Sequence, residues 1–77
     1  MAKVTIYTTP TCGFCKMAKE YFRENNVDFE EKDVAADAVA QEEAVGKSGQ
    51  MGVPVIEVDG QIVIGFDKPK LAALLGL

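Results

Sequence analysis

The sequence predicts an α/β domain in the order β-α-β-α-β-β-α, a mixed four-stranded sheet flanked by helices. Three observations carry that expectation. A β-rich run, Val4–Tyr7, is followed by a helical pattern; Asp59-Gly60 separates two apolar runs; and a run of leucines closes the chain behind Asp67. A strand, a helix and a second strand imply a parallel pair joined by a right-handed crossover. An Asp-Gly pair between apolar runs is a strong hairpin signal and adds an antiparallel pair.

Each element has its own signal. Val4-Thr5-Ile6-Tyr7 is stopped by Thr8, Thr9 and Pro10. The first helix is expected from about Gly13 to Asn25, with Cys15, Ala18 and Phe22 on one face and Met17 and Tyr21 flanking it. Val27 to Asp33 reads as a second strand. Its run Glu30-Glu31-Lys32-Asp33 suits a sheet edge, where charge discourages pairing with other chains. Ala35 to Val45 is rich in helix-forming Ala, Glu and Gln, and Gly46 is expected to end that helix. After a loop over 47–52, Val53–Val58 and Gln61–Ile64 are expected to be the hairpin strands. Asp67 is a good N-cap for the last helix, which tolerates Pro69 in its first turn and buries Leu71, Leu74 and Leu75.

At 77 residues the chain is expected to be one domain, 1–77, whose stability margin is thin because small domains bury less of their surface. Hydrophobic residues at 48% and charged residues at 26% are globular values and argue against disorder. The eight Lys and Arg are scattered in a chain of net charge −4, so nucleic acid is not an expected partner. Met1-Ala2-Lys3 runs straight into the first strand without the apolar core and cleavage site of a secretion signal. The longest apolar stretches, Val53–Ile56 and Leu71–Leu75, are too short to cross a bilayer. These readings place the chain in the cytoplasm, off the membrane, and as a monomer by default.

The informative counts are two cysteines and no histidine. Cys12-Gly13-Phe14-Cys15 lies where the first strand hands over to the first helix, and positions i and i+3 share a helix face, so the sulfurs can reach bonding distance. Cys12 falls at the helix N-terminus, exposed beside free N–H groups, whereas Cys15 continues toward the buried face. The exposed thiol is therefore the expected nucleophile and the shielded one the resolving thiol. A free thiol, with a pKa near ~8.5, is only slightly ionised at neutral pH. A helix N-terminus favours the anion by about 0.3–1 kcal/mol, and up to ~2 kcal/mol where partly buried. Local hydrogen bonds add to this, and Lys16, exposed four residues on, adds little. Zinc would need four ligands, and this chain lacks the second pair, so no metal site is expected. A structural disulfide would close a tiny loop for little stabilisation. Cys-x-x-Cys beside a βαβ pattern reads as redox chemistry.

Thr8-Thr9-Pro10-Thr11-Cys12-Gly13-Phe14-Cys15, then Ser48-Gly49-Gln50, Val53-Pro54 and Gly65-Phe66-Asp67, resemble the glutaredoxin family over nearly the whole chain. The fold this implies is thioredoxin-like. The resemblance implies a cis bond before Pro54 and a Val53 backbone free to pair with an extended substrate; on its residues alone, Pro54 reads as the start of an edge strand. It implies that N–H groups around Phe66 and Asp67 bind a glutathione carboxylate, a role compatible with Asp67 as helix cap. Gln50 belongs to the same implied glutathione site. Phe14 is assigned a surface groove, in preference to merely stabilising the first turn. Phe66 stands open between that groove and the core.

Two departures bear on the electron source. Many glutathione-dependent members carry a basic residue at the position of Thr9 and Arg or Lys at that of Met51. Their absence favours recharging by a thioredoxin-reductase-like flavoprotein over glutathione, as in the small redoxins that supply ribonucleotide reductase. The expected function is therefore reduction of protein or glutathione mixed disulfides by dithiol exchange. No tightly bound cofactor is expected, and glutathione is a candidate co-substrate. The alternative is a dimer carrying a [2Fe–2S] cluster through Cys12 and glutathione. Gly13-Phe14 resembles the monothiol cluster carriers, but those have Ser where this chain has Cys15.

Overall fold

The computed structural model describes residues 3–50 and 52–77. Among them run β1 (Val4–Thr8), α1 (Gly13–Glu24), β2 (Phe29–Asp33), α2 (Ala38–Ser48), β3 (Val55–Val58), β4 (Gln61–Ile64) and α3 (Lys68–Leu75). The sheet order is β2-β1-β3-β4. β1 runs parallel to β2, with Ile6 opposite Glu31, and antiparallel to β3, with Tyr7 opposite Val55. The charged strand β2 is an edge, as its composition requires.

Alternation along β1 divides the core into two layers. Val4 and Ile6 join Ile56, Val58 and Val63 on the face covered by Ala18 and Phe22 of α1 and Leu71 of α3. Tyr7 and Val55 face the other way, onto Ala40 and Ala44 of α2. That second layer is thin in apolar volume and is reinforced by charge. The ammonium groups of Lys32 and Lys47 each lie 5.7 Å from the centroid of the fully buried Tyr7 ring. Lys47 Nζ also donates to the Tyr7 hydroxyl at 3.2 Å and to Glu57 at 2.9 Å, while Lys32 donates to Glu43 at 2.9 Å.

Several boundaries differ from expectation for local reasons. Helix α2 begins at Ala38 and not at Ala35, because Asp33 Oδ1 accepts the N–H groups of Ala35 and Ala36 in a turn. Asp37 then caps the helix by accepting from Val39 and Ala40. Gly46 does not end it. The helix continues to Ser48, and Gly49, at φ 75°, supplies the left-handed cap. β2 starts at Phe29, because Val27 N–H is still bonded to Phe22 O at 2.8 Å in the close of α1. β3 starts at Val55, after a cis Val53-Pro54 bond, instead of at Val53. The hairpin turn at Asp59-Gly60 has φ values of 48° and 86°, both in the left-handed region that this two-residue turn needs.

Phe22→Ala should destabilise the domain by about 3–5 kcal/mol, as for other emptied aromatic core sites. Asp37→Ala, which loses only a helix cap, should cost about 1 kcal/mol. Urea unfolding of both variants checks the ratio.

Candidate functional site

The connection from β1 to α1 places the two sulfurs. Thr9 O accepts from Cys12 N–H at 3.3 Å, closing a turn, and Cys12 becomes the N-cap of α1 with extended backbone. Its sulfur does the work a capping oxygen usually does, accepting the backbone N–H of Cys15 at 3.2 Å. Cys12 is half-buried, and both thiols are free. Cys15, one helical turn along, is 1% exposed. Burial is the main force pushing its thiol up to about 12, and a hydrogen bond to Cys12 adds to it, so Cys15 holds its proton at neutral pH. The Thr9 backbone and the Lys19 charge act in the opposite direction.

The remaining residues of the expected site arrive by register. Tyr7 opposite Val55 brings the chain after β1 alongside Val53 and the buried Pro54. Gly65 N–H donates to Pro54 O at 2.8 Å, which joins the Gly65-Phe66-Asp67 turn to the same end of the sheet. Asp67 Oδ1 accepts from Lys70 N–H, so the capping role is present. Gln50 is exposed, and its side chain lies against Gly52, where a β-carbon would meet Gln50 Nε2 at 3.4 Å. Met51 lies outside the described residues. Phe14 is 62% exposed. Phe66 is half-buried against the α1 core layer, edge-on to Tyr21 at 5.8 Å. The same ring borders a shallow depression of about 180 Å³ with Met17, Tyr21 and Lys68.

Sequence reasoning missed a polar cluster that joins the end of β1, the edge strand β2 and α1. Thr8 Oγ1, at the buried end of β1, donates to Glu31 Oε2 at 2.8 Å. The Lys19 ammonium meets the same oxygen at 2.8 Å. Those two bonds, Lys19 first, hold the Glu31 carboxyl below the ordinary carboxylate range. The available signal was the four-residue spacing from Cys15 to Lys19.

A half-buried thiol capping a helix, beside a buried thiol one turn on, at the end of a mixed sheet with a cis-proline turn, defines a thiol redox domain of the thioredoxin-like fold. The glutaredoxin family model matches residues 4–63, and the chain belongs to that family, whose function is thiol redox chemistry. The chain is 46% identical to a glutaredoxin-like 8.6 kDa protein in the rubredoxin operon of Clostridium pasteurianum, over 94% of its own length and 96% of the relative's. It is 39% identical to Escherichia coli glutaredoxin 3, covering 87% of this chain and 81% of that one. A crystallised thioredoxin-like protein, 37% identical, superposes with a TM-score of 0.91 over 99% of this chain and 97% of its own.

The Cys15 proton gives a stability prediction. Its folded value of about 12 lies above the ordinary 9.0, so the folded state holds a proton that the unfolded chain releases first. The associated stabilisation is complete below pH ~9 and is lost as pH rises toward ~12. Urea midpoints from neutral to alkaline pH should fall more steeply for the reduced parent than for Cys15→Ala.

Proposed function

We propose that this glutaredoxin-family chain reduces disulfides by dithiol exchange, with Cys12 as nucleophile and Cys15 as resolving thiol. The observation that carries the reading is the asymmetry of the pair: Cys12 is half-buried, less open than the exposed thiol its position predicts, and its sulfur accepts an N–H, whereas Cys15 is 1% exposed and keeps its proton. Cys12 sulfur attacks a substrate disulfide, one substrate sulfur leaves, and a mixed disulfide remains. Cys15 then attacks Cys12; the Cys12–Cys15 bond forms, the mixed disulfide breaks, and the Cys15 proton ends on the released substrate thiol.

Val53, Pro54, Phe14 and Gln50 form the proposed rim for the substrate, with the Val53 backbone pairing an extended segment and Phe14 packing on it. The N–H groups of Phe66 and Asp67 would receive a glutathione carboxylate. Family members generally work with glutathione and disulfide substrates. Thr9 brings no positive charge to that site, which favours a thioredoxin-reductase-like flavoprotein as the source of electrons. The reaction belongs in a reducing compartment such as the cytoplasm, where a dithiol pair is regenerated.

Cys12→Ser should abolish disulfide reduction, while Cys15→Ser should keep the first attack and accumulate the mixed disulfide, visible by intact mass. Reduction of the oxidised protein should be compared with glutathione plus its reductase and with NADPH plus a thioredoxin reductase. Turnover with the flavoprotein alone is the expected result. Turnover with glutathione would assign glutathione as donor, and failure of both would sink the reductase reading in favour of cluster carriage.

A further inference from the structure

Resolution poses a problem that the cysteine pair alone does not solve. The sulfur that must attack is the buried one, and burial opposes its ionisation. A group that favours the anion at Cys15 speeds the second step.

Lys19 is placed for that role. It lies one helical turn beyond Cys15, on the same side of α1. Its side chain is 20% exposed, so its charge is less screened than that of a free surface lysine. Its ammonium is tethered: Glu31 Oε2 holds it at 2.8 Å, and Glu31 is itself fixed by the Thr8 hydroxyl at 2.8 Å. Thr8 ends β1 and precedes Thr9, whose carbonyl accepts the Cys12 N–H at 3.3 Å in the turn that leads into α1. Among the described residues, the charged or titratable groups that act on Cys15 are Cys12, the cap of α1, and Lys19 within the helix, with Glu31 of β2 bonded to Lys19 and Arg23 acting on Glu31 from the next turn. Four-residue spacing on one helix sets the Lys19 side chain beside that of Cys15, and its positive charge opposes, as the smallest of the several influences on that thiol, the upward push of burial.

We infer that Lys19, tethered by Glu31 and Thr8, is a positioning residue for the resolving half-reaction, its fixed ammonium favouring the Cys15 thiolate that attacks Cys12. This rests on the dithiol reading above. With a symmetric aromatic disulfide the two steps separate. Cys12 thiolate takes one aryl sulfur and releases the first coloured thiolate. Cys15 thiolate then displaces the second, closing the Cys12–Cys15 bond and leaving its proton in solvent.

Stopped-flow release of the coloured thiolate from Lys19→Met should show the first phase unchanged and the second about three- to tenfold slower, its pH midpoint moved upward. Lys19→Arg should recover most of the rate. An exposed or half-exposed ion pair contributes at most about 1 kcal/mol, so both variants should fold. An unchanged second phase and midpoint in Lys19→Met, or equal slowing of both phases, would overturn the inference. Cys15→Ser is the separate control. If it still releases both thiolates, the dithiol reading falls, whatever Lys19 does.

Discussion

Strand β1 sets the position of everything else. All five of its residues are buried, and it is hydrogen-bonded to a parallel neighbour on one side and an antiparallel neighbour on the other. The parallel pairing demands a crossover helix, which brings α1 back over the sheet with its N-terminus at the end where β1 stops. The antiparallel pairing starts β3 at that same end, so the turn before β3 faces the start of α1. Two short-range consequences of one strand's pairing thus bring a helix N-terminus and an extended turn together around Cys12.

The two core layers meet different demands. Above Val4 and Ile6, aromatic and aliphatic side chains from α1 and α3 fill the space: Phe22 stacks obliquely on Phe29 at 5.5 Å, and Leu71 is fully buried. Below, α2 offers only Ala40 and Ala44 as fully buried positions. Tyr7 compensates with a large ring, and the lysines against it keep their ammonium groups paired with Glu43 and Glu57. Lysine stems cover apolar surface while their heads stay hydrated or paired, which closes a layer that apolar volume alone would leave open.

Element order, the edge position of β2, the hairpin and the placement of both cysteines were legible in the sequence because each rests on local pattern. Asp59-Gly60 needs only its own backbone preference, and Cys12 and Cys15 need only helical spacing. The bounds of α2 were not legible. Asp33 and Asp37 are both competent caps, Gly46 and Gly49 both competent stops, and the choice depends on where Ala40 and Ala44 meet Tyr7. The Lys19–Glu31–Thr8 cluster was hidden for a related reason. It exists because the parallel register sets Ile6 against Glu31 and Thr8 against Asp33, and composition does not specify register. Phe66 shows a further limit: its sequence neighbours suggest a site, while its packing against Tyr21 and the core depends on how the turn before α3 meets α1.

Lys3 is tied to the tip of the β3–β4 hairpin: its N–H donates to Asp59 Oδ1 at 2.7 Å, and its carbonyl accepts the Asp59 N–H at 3.0 Å. The start of β1 and the hairpin tip therefore share the pole of the molecule opposite Cys12. A fluorophore or an electrode linker attached at Lys3 or in the Asp59-Gly60 turn sits at that pole. The molecule can in this way be anchored upright on a support, with its sulfur chemistry presented to the solution.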